Sequence, residues 1–268
     1  MPALPHQFLT IDPCTVAVAT LPTTNPRAAT VVWLHGLGAA STITFADVAQ
    51  FPALGGISSI LIDLPGAGHS SAPNTWGGTI ENLAAIALRA IERLAKGAVV
   101  LFGHSLGGSV AIAAASQRPD LIQHLIVGEP NLDPGVGTIS VTIARQTEGS
   151  FVAHGYPRLI AATSRLARQG KVDAGWVRTL KMADPRQLHR AATSLLIPRE
   201  PTFRQQLVDL PMPTSVVTGH LTPPLEVPLP QRPNLAGYVV PDAGHQMFSD
   251  NPAAFATLLA KIVSNSGR

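Results

Sequence analysis

Residues 97–108 constrain the fold of this chain more than any other stretch. The apolar run at residues 98–102 is short, valine-rich and bounded by glycines, which predicts a buried strand. The alanine-rich stretch at residues 106–117 predicts a helix. Between them lies a G-x-S-x-G pattern at residues 103–107, whose glycines let strand and helix approach closely. The pattern predicts a strained turn that presents the Ser105 hydroxyl at a sheet edge, above a helix N-terminus.

Apolar runs and helical patterns alternate along the rest of the chain. Buried strands are predicted at residues 30–34, 58–62, 98–102, 124–127, 214–218 and 237–240. Residues 7–20 predict two short strands that pair antiparallel, and residues 79–94 and 252–263 have the apolar spacing of helices. The alternation indicates an α/β fold with a mostly parallel sheet that helices cover on both faces.

A long helical region interrupts this alternation. Helices are predicted at residues 139–151, 157–168, 174–182 and 186–196, and prolines and glycines separate them. The region follows the C-terminal end of a strand, which places it over the edge where open α/β sheets bind ligands. We therefore predict a core domain of residues 1–130 and 210–268 and a helical cap of residues 131–209.

Composition argues against several classes of protein. The 268 residues are 46% hydrophobic, which suits a buried parallel sheet, yet no run reaches the roughly 18 apolar residues of a membrane span. The net charge is +3, and the basic residues are scattered without interleaved aromatics, which argues against nucleic-acid binding. The N-terminus lacks a signal-peptide pattern, so we expect a cytoplasmic protein. Nothing in the sequence indicates an oligomeric state.

The sequence also gives no sign of a metal or redox centre. Cys14 is the single cysteine, which excludes an internal disulfide, and no activating base is evident near it. No pair of histidines has the spacing of a zinc site. We therefore expect neither a metal nor a cofactor.

Groups that complement Ser105 follow other predicted strands. The glycine-lined loop at residues 35–38 can direct the Leu37 N–H at a developing oxyanion, and the Leu106 N–H is the second donor. His245 follows the last strand, which fits the chain order serine, acid, histidine. A neutral imidazole at that position can accept the serine proton and return it to a leaving group.

These motifs make the chain resemble the α/β-hydrolase superfamily over nearly its whole length. The matching segments, in family order, are residues 35–38, 63–70, 103–108 and 244–245. The resemblance implies an eight-stranded, mostly parallel sheet with a helical cap inserted after the sixth strand. It also implies that Asp63 and the glycines after it form a structural turn and take no part in catalysis.

The catalytic acid departs from the common pattern of the superfamily. Many members carry an aspartate shortly after the seventh strand, but here Thr222 stands in its place and the nearest carboxylate is Glu226. Glu129 instead ends the sixth strand, where haloalkane dehalogenases and zearalenone-type lactone hydrolases place their acid. The lactone hydrolases use serine, glutamate and histidine. We favour Glu129, keep Glu226 as the alternative, and regard Asp133 and Asp242 as weaker candidates.

Motifs and resemblance together predict a serine hydrolase for a small carboxylic ester or lactone. Ser105 forms an acyl-enzyme, and water activated by His245 hydrolyses it. A haloalkane dehalogenase is disfavoured, because its nucleophile would be a carboxylate at the position of Ser105. Amidases, carbon–carbon bond hydrolases and cofactor-free haloperoxidases use the same triad and remain alternatives. A second hypothesis is a ligand sensor on this fold, similar to certain plant hormone receptors, which turnover would distinguish.

Overall fold

A single sheet forms the centre of the computed structural model, which describes residues 4–23, 29–135, 137–225 and 228–266. In these residues, eight strands run in the order β1-β2-β4-β3-β5-β6-β7-β8. The strands are β1 (His6–Ile11), β2 (Cys14–Leu21), β3 (Thr30–Leu34), β4 (Ser58–Ile62), β5 (Val99–His104), β6 (His124–Gly128), β7 (Thr214–Gly219) and β8 (Leu235–Val240). β2 pairs antiparallel with β1 and β4, and the remaining neighbours are parallel. The predicted α/β class with a mostly parallel eight-stranded sheet is confirmed.

Helices occupy the connections from β3 to β7 and follow β8. They are α1 (Ser41–Thr44), α2 (Ala46–Ala49), α3 (Ile80–Leu94), α4 (Leu106–Gln117), α5 (Thr138–Ala144), α6 (Glu148–Ser150), α7 (Tyr156–Arg168), α8 (Ala174–Leu180), α9 (Pro185–Leu196), α10 (Phe203–Asp209), α11 (Met247–Asp250) and α12 (Pro252–Asn265). Short 3-10 turns lie at Pro52–Leu54 and Pro119–Leu121, and Phe151–Gly155 forms one π-helical turn. Most connections between parallel strands are therefore helical. The described part of the connection from β7 to β8, residues 220–225 and 228–234, contains no helix.

The core lies on both faces of the sheet. Within β3, Val32 and Leu34 pack with α3 and α4, whereas Val31 and Trp33 pack with α2 and α12. Every residue of β3 is buried, which explains why this strand has a continuous apolar run instead of an alternating pattern. The two helical layers hold the carboxyl ends of the parallel strands along one edge, where the predicted functional residues are found.

Residues 131–209 contribute helices and, in their described part, no strand. The predicted helix at residues 139–151 is wrong in its extent, because the chain breaks after α5 and Thr147 caps α6 by accepting from Ser150 N–H. α10 was not predicted. Two prolines separate it from α9, and its start is marked by Thr202, which accepts from the Gln205 N–H.

Two helices of this region contact loops at the carboxyl edge of the sheet. Trp176 in α8 donates from Nε1 to the Leu37 oxygen at 2.9 Å. The Asp184 N–H, just before α9, donates to the Gly66 oxygen at 2.8 Å. The helices therefore adjoin the loops that follow β3 and β4.

Candidate active site

Ser105 stands at a sharp turn between β5 and α4. Its φ is 54° and its ψ is −120°, a backbone conformation that is strained for a residue with a side chain. A Cβ at Gly103 would lie 2.2 Å from the Gly107 oxygen, and one at Gly107 would lie 2.3 Å from the Leu34 oxygen. The glycines of the G-x-S-x-G pattern are therefore required by contact between backbones, as the sequence predicts for this turn.

The two residues predicted to supply the oxyanion donors lie in segments that adjoin Ser105. Leu106 is the first residue of α4, and the first N–H groups of a helix have no acceptor within it. The loop that carries Leu37 approaches the serine closely, since a Cβ at Gly36 would lie 3.3 Å from the Ser105 Cβ. The segments that carry Leu37 and Leu106 therefore both adjoin Ser105, and the oxyanion hole stays a prediction.

Glu129 lies directly after β6 and contacts His245. Its Oε2 is 2.6 Å from the Nδ1 of His245, and its Oε1 accepts from the Gly219 N–H at 2.9 Å. The side chain of Glu129 is 6% exposed, whereas the imidazole of His245 is 50% exposed. Glu129, which the sequence favours as the acid, is therefore a buried carboxylate that holds the inner nitrogen of a solvent-accessible ring.

Hydrogen bonds keep this carboxylate ionised. Burial alone would raise the pKa of Glu129, but hydrogen bonds from His245, Thr222 and the Gly219 N–H together lower that pKa below its usual value. An ionised carboxylate stabilises an imidazolium and fixes the Nδ1–H tautomer of the neutral ring. The outer nitrogen of His245, Nε2, is then left to exchange protons.

Thr222 explains part of the departure from the common family pattern. It occupies the position where many members carry an aspartate, and here it hydrogen-bonds to Glu129. Gly219 brings this loop close to the histidine loop, because a Cβ there would lie 2.4 Å from the Ala243 oxygen. The sequence analysis noted Thr222 only as a missing acid, since a supporting hydroxyl is recognisable only once its partner is known.

The other carboxylates considered as the acid stand elsewhere. Asp133 forms an ion pair with Arg204, whose Nε lies 3.1 Å from its Oδ1. Asp242 is an exposed residue in the turn after β8. Glu226 lies outside the described residues.

His104 is a site residue whose orientation could not be read from the sequence. Its Nε2 donates to the main-chain oxygen of His245 at 2.8 Å, and the ring centroids of the two histidines are 4.6 Å apart. Burial, followed by the proximity of His245, lowers the pKa of His104 to about 3. His104 is therefore neutral at physiological pH and acts as a fixed donor to the histidine loop.

Asn131 contacts the serine hydroxyl. Ser105 Oγ lies 3.5 Å from Asn131 Oδ1, and no hydrogen bond joins Ser105 to His245 in the described part of the chain. Ser109 Oγ donates to the Asn131 main-chain oxygen at 2.8 Å and fixes this segment. Catalytic hydrogen bonds are often long before substrate binds, so the absence of this bond does not exclude a role for His245 as the base.

His35 and Asp63 shape the neighbouring loops. The Nε2 of His35 accepts from the Leu64 N–H at 2.9 Å while its Nδ1 donates to the Gly36 oxygen at 2.8 Å, and burial lowers its pKa. Asp63 is fully buried and accepts from Thr42 N–H at 2.9 Å and from Thr42 Oγ1 at 2.8 Å. Asp63 therefore has structural contacts, as the resemblance implies, and His35 links the loops that follow β3 and β4.

The remaining titratable groups form no metal cluster among the residues that the structure describes. Burial, aided by Asp12, raises the pKa of the buried Cys14 thiol to about 11, so it is not a thiolate at physiological pH. Within the described ranges, no helix combines the length and apolar character needed to cross a membrane.

Comparison with known proteins identifies the family. A model of the alpha/beta hydrolase fold matches residues 29–252. The chain belongs to the α/β-hydrolase fold family. This α/β-hydrolase is 30% identical over 220 residues to the pimeloyl-[acyl-carrier protein] methyl ester esterase of Klebsiella pneumoniae, which covers 77% of this chain and 83% of that one. It is 35% identical over 104 residues to the uncharacterized hydrolase YugF of Bacillus subtilis, which spans only 38% of this chain and 37% of YugF.

Solved structures show the same fold. The N-acyl homoserine lactonase AidH in complex with N-butanoyl homoserine superimposes with a TM-score of 0.77 and 20% identity. The match covers 99% of this α/β-hydrolase and 98% of AidH. The chain is a hydrolase of the α/β fold, with an esterase among its relatives. AidH shares the fold of this chain.

Proposed function

We propose that this protein is a serine hydrolase that cleaves a carboxylic ester or a lactone through an acyl-enzyme. The contact of 2.6 Å between Glu129 Oε2 and His245 Nδ1 carries the proposal, because it joins the favoured acid to the favoured base beside the serine turn. Ser105 is the nucleophile, His245 the general base and acid, and Glu129 the group that orients the imidazole. The Leu37 and Leu106 N–H groups form the oxyanion hole.

The first half-reaction forms a bond between Ser105 Oγ and the substrate carbonyl carbon. The serine proton passes to Nε2 of His245, and the Nδ1–H of the ring stays hydrogen-bonded to Glu129. The carbonyl electron pair moves to the oxygen that faces Leu37 and Leu106. The tetrahedral intermediate then expels the alkoxide, which takes the proton from Nε2. An ester loses its alcohol at this step, whereas the alcohol of a lactone stays attached to the acyl group.

The second half-reaction hydrolyses the acyl-enzyme. His245 removes a proton from water, hydroxide adds to the acyl carbon, and Ser105 Oγ leaves with the proton held by Nε2. The half-exposed ring of His245 supports this role, since water has direct access to it.

We further propose that residues 131–209 act as a cap over this site. The bonds from Trp176 to Leu37 and from Asp184 to Gly66 support this role, because they tie the helical region to loops at the catalytic edge. A cap limits the size of the group that reaches Ser105. Esters of short acyl chains should therefore be hydrolysed better than bulky or polymeric ones.

The relatives support an acyl-transfer chemistry. The similar protein of Klebsiella pneumoniae is an esterase, and AidH is a lactonase. We propose that this chain catalyses one of these two types of reaction. We expect a small-molecule substrate.

A panel of aryl esters and lactones tests the proposal with the wild type and two variants. Ser105→Ala should reduce kcat/KM by about a thousandfold or more, in the range of triad removal. Ser116→Ala is the matched control, because Ser116 is an exposed residue of the same helix, α4, and should retain full activity. Activity of Ser105→Ala within tenfold of the wild type would contradict the mechanism. Negligible turnover by the wild type, with tight binding of a ligand, would favour the sensor hypothesis.

A further inference from the structure

The segment that carries Leu37 is a tight turn between β3 and α1, which we call the Leu37 turn (residues 36–39). The Ala39 N–H donates to the Gly36 oxygen at 3.1 Å and closes the turn. Gly38, its third residue, has a φ of 69°, whereas the φ of Leu37 is not positive. A positive φ at the third position alone is typical of a type II turn. Because two of the four residues are glycines, the shape of the turn depends on its contacts.

Contacts with the core set the direction of the Leu37 N–H. This N–H shares a trans peptide with the Gly36 oxygen, so the two groups point in opposite directions. The Gly36 oxygen is held by the Ala39 N–H and by Nδ1 of His35, which lies 2.8 Å away. A Cβ at Gly36 would lie 3.3 Å from the Ser105 Cβ. This part of the turn therefore adjoins the proposed nucleophile.

Helix α8 contacts the same turn from the proposed cap. Nε1 of Trp176 donates to the Leu37 oxygen at 2.9 Å. A Cβ at Gly38 would lie 2.6 Å from Cδ1 of Leu180, so α8 packs directly on the backbone of the turn. Leu37 and Trp176 also pack against the apolar cluster that contains Leu180. One helix thus contacts the carbonyl group of Leu37, its side chain and the glycine that follows it.

The bond from Trp176 holds the middle peptide of the turn, between Leu37 and Gly38. Within the described residues, no second donor reaches the Leu37 oxygen. Turns of type I and type II differ by a flip of this peptide, and glycine at the third position tolerates both. The flip changes ψ of Leu37 and φ of Gly38. Without the indole N–H, the turn that carries the Leu37 N–H would therefore have a second conformation available.

α8 also contacts the segment that follows His245. Asp173 caps α8, because its Oδ1 accepts from the Gly175 N–H at 2.6 Å. Ser249 of α11 donates from Oγ to the Oδ2 of the same aspartate at 3.3 Å. α8 therefore rests on α11 at its first turn and on the Leu37 turn through Trp176, and it links the two loops that carry the proposed oxyanion donor and the proposed base.

We propose that Trp176 is a positioning residue for the oxyanion hole, so that α8 takes part in catalysis in addition to covering the site. The inference rests on the proposed function, because that function gives the Leu37 N–H its role. Oxyanion donors stabilise the transition state when they lie about 2.7–3.1 Å from the oxyanion, so a turn that samples a second conformation lowers the rate. The oxyanion forms after the substrate binds, so the loss should appear in kcat and not in KM.

Trp176→Phe tests this with a p-nitrophenyl ester and the matching thionoester. The variant keeps an aromatic ring and removes the donor. With the ester, kcat should fall by about fivefold to tenfold, the worth of one neutral hydrogen bond, and KM should change by less than about twofold. The thionoester places sulfur, a weak acceptor, in the oxyanion hole and depends less on its donors. The ratio of kcat/KM for ester over thionoester should therefore fall by about fivefold.

A second replacement isolates the N–H more strictly and serves if Trp176→Phe does not fold. 3-Benzothienylalanine at position 176 has sulfur in place of the N–H in a ring of nearly the same shape, so the same losses are expected. Tyr156→Phe is the matched control, because it too removes one donor from an aromatic residue of the cap. Its hydroxyl lies 2.8 Å from the Leu180 oxygen and 3.0 Å from the Ala183 oxygen, within residues 131–209. Tyr156→Phe should keep kcat and the ester-to-thionoester ratio within about twofold of the wild type.

Several results would overturn the inference. Equal losses for ester and thionoester would give Trp176 a structural role, and a higher KM at unchanged kcat would make it a substrate contact. An equal fall of the ratio in Tyr156→Phe would also contradict the assignment. If the wild type hydrolyses the ester, Ser105→Ala does not, and both replacements of Trp176 match the wild type, the inference fails and the proposed function stands. If Ser105→Ala retains activity, or the wild type hydrolyses neither substrate, both fail.

Discussion

The Nε2 of His104 lies 2.8 Å from the main-chain oxygen of His245, and this hydrogen bond ties the serine turn to the histidine loop. The two residues are 141 positions apart in the chain, so the link forms only in the folded protein. Because burial keeps His104 neutral, its Nε2 retains the proton and remains a donor over the working pH range. We regard His104 as a positioning residue that acts through His245.

His104→Phe should lower kcat by about tenfold, because it keeps an aromatic ring but removes the donor to the His245 loop. A neutral hydrogen bond is worth about 1 kcal/mol, which corresponds to a factor of about five to ten. The measurement is kcat and KM on the best ester of the panel, together with the melting temperature. KM should change less than kcat, and His104→Gln, which retains a donor, should recover part of the rate. A purely structural role would instead lower the melting temperature and leave kcat of the folded fraction unchanged.

Glu129→Gln should reduce turnover by about a hundredfold or more, because the neutral amide keeps the volume but no longer orients and stabilises the imidazolium. Steady-state kinetics on the wild type and the variant provide the test. Asp133→Asn is the control, since Asp133 is paired with Arg204 and not with His245. Glu226→Gln should also have little effect. A reversal, with Glu226→Gln inactive and Glu129→Gln active, would restore the usual seventh-strand acid.

Glu129 should make the free energy of unfolding depend on pH. Because hydrogen bonds lower the pKa of Glu129 in the folded state, its carboxylate adds stability above the unfolded pKa of about 4.3. That contribution is lost as the pH falls through the lower, folded pKa. The free energy of unfolding of the wild type should therefore exceed that of Glu129→Gln, and the difference should shrink as the pH falls from 7 to 3. A margin that is constant or grows in acid would mean that the folded pKa is not lowered.

Gly107→Ala should destabilise the protein by about 2–3 kcal/mol, the range of an overpacked core. The new Cβ would lie 2.3 Å from the Leu34 oxygen and 2.4 Å from the His35 oxygen, and neither backbone group can move without disturbing β3 and the loop after it. Chemical denaturation gives the free energy of unfolding. Gly149→Ala is the control, because nothing lies within 4 Å of its added methyl and alanine favours a helix. Equal stability of Gly107→Ala and the wild type would show that the turn can relax.

Much of the fold could be predicted because its central strands are buried on both faces. Continuous apolar runs such as β3 are therefore easy to recognise. The glycines around Ser105 identify the turn, because only residues without a Cβ allow the strand and the helix to approach so closely. Glu129 could be proposed as the acid from the sequence, because it follows a parallel strand at the edge where ligands bind and because some members of the superfamily carry their acid there. These signals are local in sequence.

Features that depend on distant contacts could not be predicted. The direction of the His104 side chain follows from the turn geometry and from a loop 141 residues away. The hydrogen bond from the Thr222 hydroxyl to Glu129 could not be predicted, because the two residues are far apart in the sequence. Each of these side chains is ordinary in its own segment.

Labelling with a serine-reactive phosphonate tests the central claim most directly. The phosphonate forms a bond from phosphorus to the oxygen of an activated serine, and mass spectrometry of the digested protein locates the adduct. We predict stoichiometric labelling of the peptide that contains Ser105 in the wild type, labelling slower by about a hundredfold or more in Glu129→Gln, and none in Ser105→Ala. An adduct on any other residue, or hydrolysis that persists in a wild-type protein that does not label, would contradict the assignment of Ser105, His245 and Glu129.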